Sequence, residues 1–214
     1  MNIIINIFNS NKKINTLVIL FSAYCFSLLL LRAKITNSTY LFFLIWNLFL
    51  AIIPYFISSY IIVKSKQIKS NLLLVISFIC WLLFLPNSFY IITDLVHIVR
   101  STGNLFYLDL IIICSFATIG FLLGLLSLNH FKIFLNSRNL VKYSTYTIPF
   151  ICILCGFGIY LGRILRYNSW NIISNPFQLF VDLVTVGFTI KSILFTLLFG
   201  TFIYLSYLLK QTKI

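Results

Sequence analysis

The chain has 214 residues, 61% hydrophobic and only 9% charged, with a mean hydropathy of +1.05. A soluble domain of that length carries far more charge, so the composition argues against a water-soluble enzyme or binding module and for an integral membrane protein. The net charge of +13 comes from 16 Lys and Arg against 3 acids, but the bases are scattered between apolar runs; that pattern fits residues flanking membrane spans, not a nucleic-acid-binding patch.

A helix needs roughly 20 apolar residues to cross a hydrocarbon core about 30 Å thick. Six segments qualify: 14–32, 39–63, 70–93, 106–128, 144–166 and 190–209. The first follows Lys12 and Lys13, as a signal peptide would, but no small-residue cleavage site succeeds it and it reads as a span. The second contains Pro54 and Asn47, the latter read as a helix–helix hydrogen-bonding residue. The third contains Pro86; proline is tolerated in membrane helices, often as a kink.

The fourth opens with Asp109 and carries Gly120 and Gly124, and His130 beyond it reads as a solvated connection residue. The fifth carries Gly158 and Gly162 and ends near Arg163 and Arg166. The two GxxxG spacings predict that spans four and five touch, which would bring Asp109 near Arg163. Cys152 and Cys155 form a CxxC inside the fifth apolar run, where small packing residues are the expected reading.

The longest connection runs from Tyr167 to Thr189. Within it, Asn175 suits a helix N-cap, Pro176 a first helical position and Gly187 a stop. Its apolar and polar residues fall on opposite faces, predicting an amphipathic helix at the membrane surface. The expected fold is all-α: a polytopic bundle of six spans, one membrane domain over residues 1–214, with short interfacial amphipathic helices.

Orientation follows from the bases in the connections. With the first span starting in the cytoplasm, ten Lys and Arg lie inside and six outside, so both ends are expected to be cytoplasmic. Asp94, His97, Asp109, Arg163, Arg166 and Asp182 then share the extracytoplasmic end. Their sharing of one end depends only on the six spans.

The stretch LPNSFYIITDLVHIVR, Leu85 to Arg100, holds most of the candidate chemistry. At about 100° per residue, Asn87, Tyr90, Asp94 and His97 fall on one arc of a helix. Asp94 and His97, three apart, could orient each other as an acid–base pair. The alternative is an interfacial structural network. Together with Asp109 and Asp182 they could also ligate a divalent cation, although no local metal motif such as HExxH is present. In GRILRYNSW, Gly162 to Trp170, Arg163 and Arg166 are expected to be neighbours on a helix. They would suit a phosphate or carboxylate, or else neutralise the nearby acids. Asn168 extends that polar end, and Trp170 fits an aromatic belt.

Three segments closely resemble a family of bacterial membrane proteins catalogued as domain of unknown function 1361. They are WNLFLAIIP (Trp46 to Pro54), LLFLPNSFYIITDLVH (Leu82 to His97) and GFGIYLGRILRYNSW (Gly156 to Trp170). The family pattern has P-N-A-P-Y where this chain has Pro86-Asn87-Ser88-Phe89-Tyr90, and often an Asp where this chain has Asn171. The resemblance implies a multi-pass protein of the bacterial plasma membrane, and it carries no activity, cofactor or catalytic residue with it.

The working expectation is a polar site at the extracytoplasmic face that recognises or processes an anionic lipid or lipid-linked ligand. Arg163 and Arg166 would hold the anion, Asp94 and His97 would supply any acid–base step, and Asn87, Tyr90, Asp109, Asn168 and Trp170 would shape the site. Two alternatives remain: a small-molecule or ion transporter, and a structural or assembly subunit whose charges only pair among themselves.

Overall fold

The structure, a computed structural model, describes residues 7–9, 11–64, 71–100, 105–167, 174–185, 187 and 189–212. The main helices are α1 (Lys12–Thr36), α2 (Phe43–Lys64), α3 (Asn71–Tyr90), α4 (Phe106–Ser137), α5 (Ser144–Arg163), α6 (Pro176–Thr185) and α7 (Ile190–Gln211). Among the described residues there is no strand. Six helices are long and apolar enough to cross a membrane: α1, α2, α3 with its extension, α4, α5 with the turn before it, and α7. The protein is therefore a multi-pass membrane protein. Leu17, Leu30, Leu72, Phe150, Leu198 and Leu209 are exposed on its flanks, as expected where lipid is the solvent.

The helices pack around two apolar cores. One joins α1, α2, α4 and the residues following α3, through Leu29, Leu44, Leu48, Ile91, Ile112 and Phe116. The other joins α3, α4, α5 and α7, through Trp81, Leu85, Phe89, Leu128, Ile159 and Ile203. α4 takes part in both cores, and with α3, which packs on α2, α4 and α5, it forms the middle of the bundle, while α1 packs chiefly on α4.

Three local departures from the sequence expectation position the site. Span three does not remain α-helical. After Tyr90 the chain tightens into a 3-10 helix, Ile91–Arg100. The Thr93 hydroxyl donates to the Tyr90 carbonyl at this junction, at 2.6 Å. A 3-10 helix has three residues per turn, so Ile91, Asp94 and His97 line up along it. The stripe expected from a uniform 100° step is accordingly broken, with Ile91 and Asp94 buried.

Spans four and five do not grip each other through their glycines. Gly120 and Gly124 of α4 receive Ile91 and Phe89, while Gly158 and Gly162 of α5 receive Pro86 and Tyr90. A Cβ at Gly124 would stand 2.6 Å from the Phe89 ring, and one at Gly158 would stand 2.5 Å from Pro86 Cγ. The two glycine pairs thus clamp the same segment, residues 86–91, from two sides, and at Gly120, Gly124 and Gly158 only hydrogen allows the approach without a shift.

Span four runs to Ser137, nine residues past its expected end at 128, as a 32-residue helix. His130 therefore lies inside α4 and is buried, contrary to its expected place in a solvated connection. The extension continues because its inward positions, Leu128, Phe134 and Leu135, find apolar partners on α2 and α3.

Candidate functional site

All three acidic side chains of the chain lie at one end of the bundle. Each has a partner there. Asp94, on the 3-10 segment, is 1% exposed. Asn47 of α2 donates to its Oδ2 at 2.7 Å, and Arg163 of α5 donates from Nη1 to its Oδ1 at 3.3 Å. Arg163 also donates from Nη2 to the Thr93 carbonyl at 2.9 Å and from Nη1 to the Tyr90 hydroxyl at 3.3 Å, with its guanidinium over the Tyr90 ring. Five groups from three helices and the 3-10 segment are thereby locked together. Asn47 makes the helix–helix bond expected of it.

Asp109 does not approach Arg163 as expected. Its carboxylate takes a bidentate pair from Arg32, with Nε at 2.7 Å and Nη2 at 3.3 Å. Both residues are buried, and the pair ties the end of α1 to the start of α4. This geometry is that of a fork-to-fork ion pair, the strongest arrangement available to arginine and carboxylate. The guanidinium also lies 5.4 Å from the centre of the Tyr40 ring. Sequence reasoning read Arg32 as one more flanking base. Nothing in its local sequence distinguishes it, because its partner is 77 residues away.

Arg163 and Arg166 are not neighbours on a helix. α5 ends at Arg163, and Arg166 adopts a left-handed conformation with φ of 59°. The Tyr167 amide donates back to the Leu161 carbonyl at 3.0 Å, closing this turn. Arg166 is thereby exposed beside the bundle end. His97 is half-buried, its ring 4.9 Å from that of Phe43. Asn168 and Trp170 lie outside the described residues, as does Asn171.

Beside the Asp94–Arg163 knot is a cavity of about 300 Å³ between α2, α3 and α5. Leu50, Leu82, Leu83, Leu154, Phe157 and Leu161 make most of its wall, and Asn47, Asn87, Tyr90 and Tyr167 are its polar members. Gly158 and Gly162 form part of the α5 wall. Ligand sites in proteins have this composition, with a few polar groups set in an apolar surface. The Asn87 amide donates to the Phe84 carbonyl, at 3.2 Å.

Tyr167 connects this cavity to the surface helix α6. Its hydroxyl donates to Asp182 at 2.5 Å, and Gln178 donates to the other oxygen of the same carboxylate at 3.1 Å. The bond to Asp182 raises the tyrosine pKa above its ordinary value of 10.0, because ionising the phenol would remove the donor and set two negative charges together. α6 begins at Pro176 as the sequence indicates, and the Gly187 amide closes back on the Asp182 carbonyl at 3.0 Å.

A second polar network lies deeper in the bundle and was not anticipated. Trp81 donates from Nε1 to the Ser127 hydroxyl at 2.7 Å. Ser127 donates to the Pro54 carbonyl at 3.0 Å and lies 3.1 Å from the Ser58 hydroxyl. Ser58 and Ser59 reach His130 Nδ1 at 3.1 and 3.4 Å. The Tyr55 ring packs on the His130 ring, and its hydroxyl donates to Asn15 of α1 at 2.7 Å. Ser58-Ser59 inside an apolar span was the available signal. Hydroxyls in membrane helices often bond only their own backbone, so the signal is weak.

Residues 46–206 match the profile of a family described as "Protein of unknown function (DUF1361)". No curated protein and no solved structure matches the chain. The matched region is most of the chain and covers the clamped Pro86 segment, both glycine pairs, Asp94, Arg163 and the whole cavity wall; the chain, a multi-pass membrane protein, belongs to this family.

Proposed function

We propose that the protein binds an amphiphile with an anionic head in the cavity between α2, α3 and α5. The supporting observation is a mostly apolar cavity with its polar members clustered at the arginine-bearing end of the bundle. An alkyl chain would lie along Leu83, Leu154, Phe157 and Leu161. Its head would meet Asn87, Tyr90 and Tyr167, with Arg166 and the outer side of Arg163 as the cationic rim. A lipid or lipid-linked precursor at the extracytoplasmic face of a bacterial plasma membrane meets this description.

In this reading Asp94 is a positioning residue. Bonded by Asn47 and Arg163, it fixes the rim, and no acid–base step is assigned to Asp94 or His97. The test uses an alkyl phosphate brominated in its chain, with Trp46 on the cavity wall as reporter. Saturable quenching of Trp46 by the alkyl phosphate is expected, weaker for the matching alcohol and weaker still in Arg166→Gln. Quenching that is equal for phosphate and alcohol would reduce the reading to an apolar groove. No saturable quenching would end it.

One observation favours a second reading, passage of a proton or small solute. Asn47, Ala51, Pro54 and Ser58 fall on one face of α2. Each engages a polar partner: Asp94, the Ser88 hydroxyl at 2.7 Å, the Ser127 hydroxyl and His130. Proteoliposomes with an internal pH dye distinguish the two. Proton flux abolished by His130→Phe supports passage, and no flux above that of protein-free vesicles removes it.

A further inference from the structure

The end of the bundle opposite Asp94 has a different electrostatic character. It carries Lys12 and Lys13 at the start of α1, Lys132 near the end of α4, and Lys210 at the end of α7. Since all three acidic side chains lie at the other end, no Asp or Glu of the chain can balance these cations. An anionic headgroup from the bilayer is a natural counter-ion for them.

At this end a groove of about 600 Å³ opens on the flank of the bundle. Its walls are Ile14, Leu17, Phe21 and Tyr24 of α1 and Ile119, Leu122 and Leu126 of α4, and its one charged member is Lys210. Leu17, Leu20 and Leu122 are 57%, 60% and 45% exposed, so the groove is open sideways, toward lipid. Ile14 to Tyr24 is ten helical steps along α1, a rise of roughly 15 Å. That is half of a hydrocarbon core about 30 Å thick, the depth of one leaflet. α4 runs the opposite way, so Leu126 lies toward the lysine end and Ile119 toward the bilayer middle. The groove therefore has a leaflet's length and a cation at its headgroup end.

We infer that this groove is a binding site for a phospholipid with an anionic headgroup. One acyl chain lies between α1 and α4, and the phosphate meets Lys210. The α1 lysines add to the field that selects a net negative head over a zwitterionic one. Lys132 is tied to the same end of α7 by its bond to Gln211 Oε1 at 3.1 Å, and Gln211 is in turn anchored to Asn129 at 3.0 Å. The site is at the opposite end of the bundle from the cavity beside Asp94 and is independent of it.

The experiment uses the full chain in mild detergent, titrated with dioleoyl-phosphatidylglycerol, with phosphatidylcholine of the same chains, and with inorganic phosphate. Lipid phosphorus retained through size exclusion is the readout. Phosphatidylglycerol is expected to be retained saturably, and Lys210→Gln to weaken its retention about fivefold, the effect of one lysine near an anionic surface. Lys210→Arg should keep the preference. Leu122→Trp, which fills the groove without altering charge, should lower retention of both lipids. Equal retention of the two lipids by the unaltered protein would overturn the inference. So would retention unchanged by Leu122→Trp, or displacement of phosphatidylglycerol by inorganic phosphate. Should Lys210→Gln fail to fold, the lipid comparison and the Leu122→Trp arm decide alone.

Discussion

Arg32 and Asp109 meet as a buried, bidentate ion pair that fastens α1 to α4. Arg32 is 7% exposed and Asp109 2% exposed, so removing either partner strands the other away from water. Asp109→Asn is expected to lower stability by about 3–5 kcal/mol, measured by denaturant unfolding in detergent. The double replacement Arg32→Met with Asp109→Leu should lose much less, because it leaves no unpaired charge. A double variant as unstable as the single one would show that the pair is not what joins the two helices.

The Ser127 hydroxyl accepts from the buried Trp81 indole and bonds the α2 backbone at Pro54. Ser127→Ala removes both interactions and is expected to cost about 1 kcal/mol. Thr118 supplies the control. Its hydroxyl is exposed and bonds only its own helix, at the Cys114 carbonyl, so Thr118→Ala should change stability by less than about 0.5 kcal/mol. Equal losses in thermal denaturation would deny the Ser127 network any special part.

The glycine contacts predict a graded response. Gly158→Val forces a branched side chain against Pro86, where a Cβ alone would sit 2.5 Å from Cγ. A loss of about 1–3 kcal/mol or more is expected. Gly162→Ala meets Tyr90 at 3.3 Å, close to ordinary contact, and should be tolerated with a smaller loss. Reversal of this order in unfolding measurements would contradict the clamp.

Tyr167 gives a prediction in pH. Its folded-state pKa is raised by the bond to Asp182. A raised pKa means that the folded protein holds the phenolic proton after the unfolded chain has released it. The stabilisation is therefore complete below the ordinary tyrosine value of 10.0 and is lost as pH rises above it. In Asp182→Asn, one tyrosine of the folded protein should ionise at lower pH than in the unaltered chain, visible as tyrosinate absorbance. Superimposable titrations would rule out the bond.

The coarse fold was legible because membrane spans are written in composition: twenty apolar residues between bases need no tertiary information. The clustering of Asp94, Asp109 and Arg163 at one end followed from counting spans. Which acid meets which arginine did not follow. Asp94 took Arg163 and Asp109 took Arg32 because α3 and α4 lie in the middle of the bundle with α5 and α1 on different sides, and helix order around a bundle is not encoded in hydropathy. The polar stripe on residues 87–97 failed for a local reason, since the helix changed its period at Tyr90. His130 was misplaced because its helix ran on beyond the length that crossing requires. The glycine spacings were correctly read as sites of close approach, but a spacing names no partner.

The segment gripped between the glycines of α4 and α5 also has a place in time. Residues 86–91 are synthesised before either helix that holds them, since Gly120 and Gly124 follow by some thirty residues and Gly158 and Gly162 by about seventy. A nascent chain with three spans in the bilayer has Ser88, whose final bond is to the Ala51 carbonyl, but neither jaw. The fourth span supplies one side and the fifth the other. Maturation of the Asp94 end must therefore wait for the translation of Arg163, however early its aspartate enters the membrane.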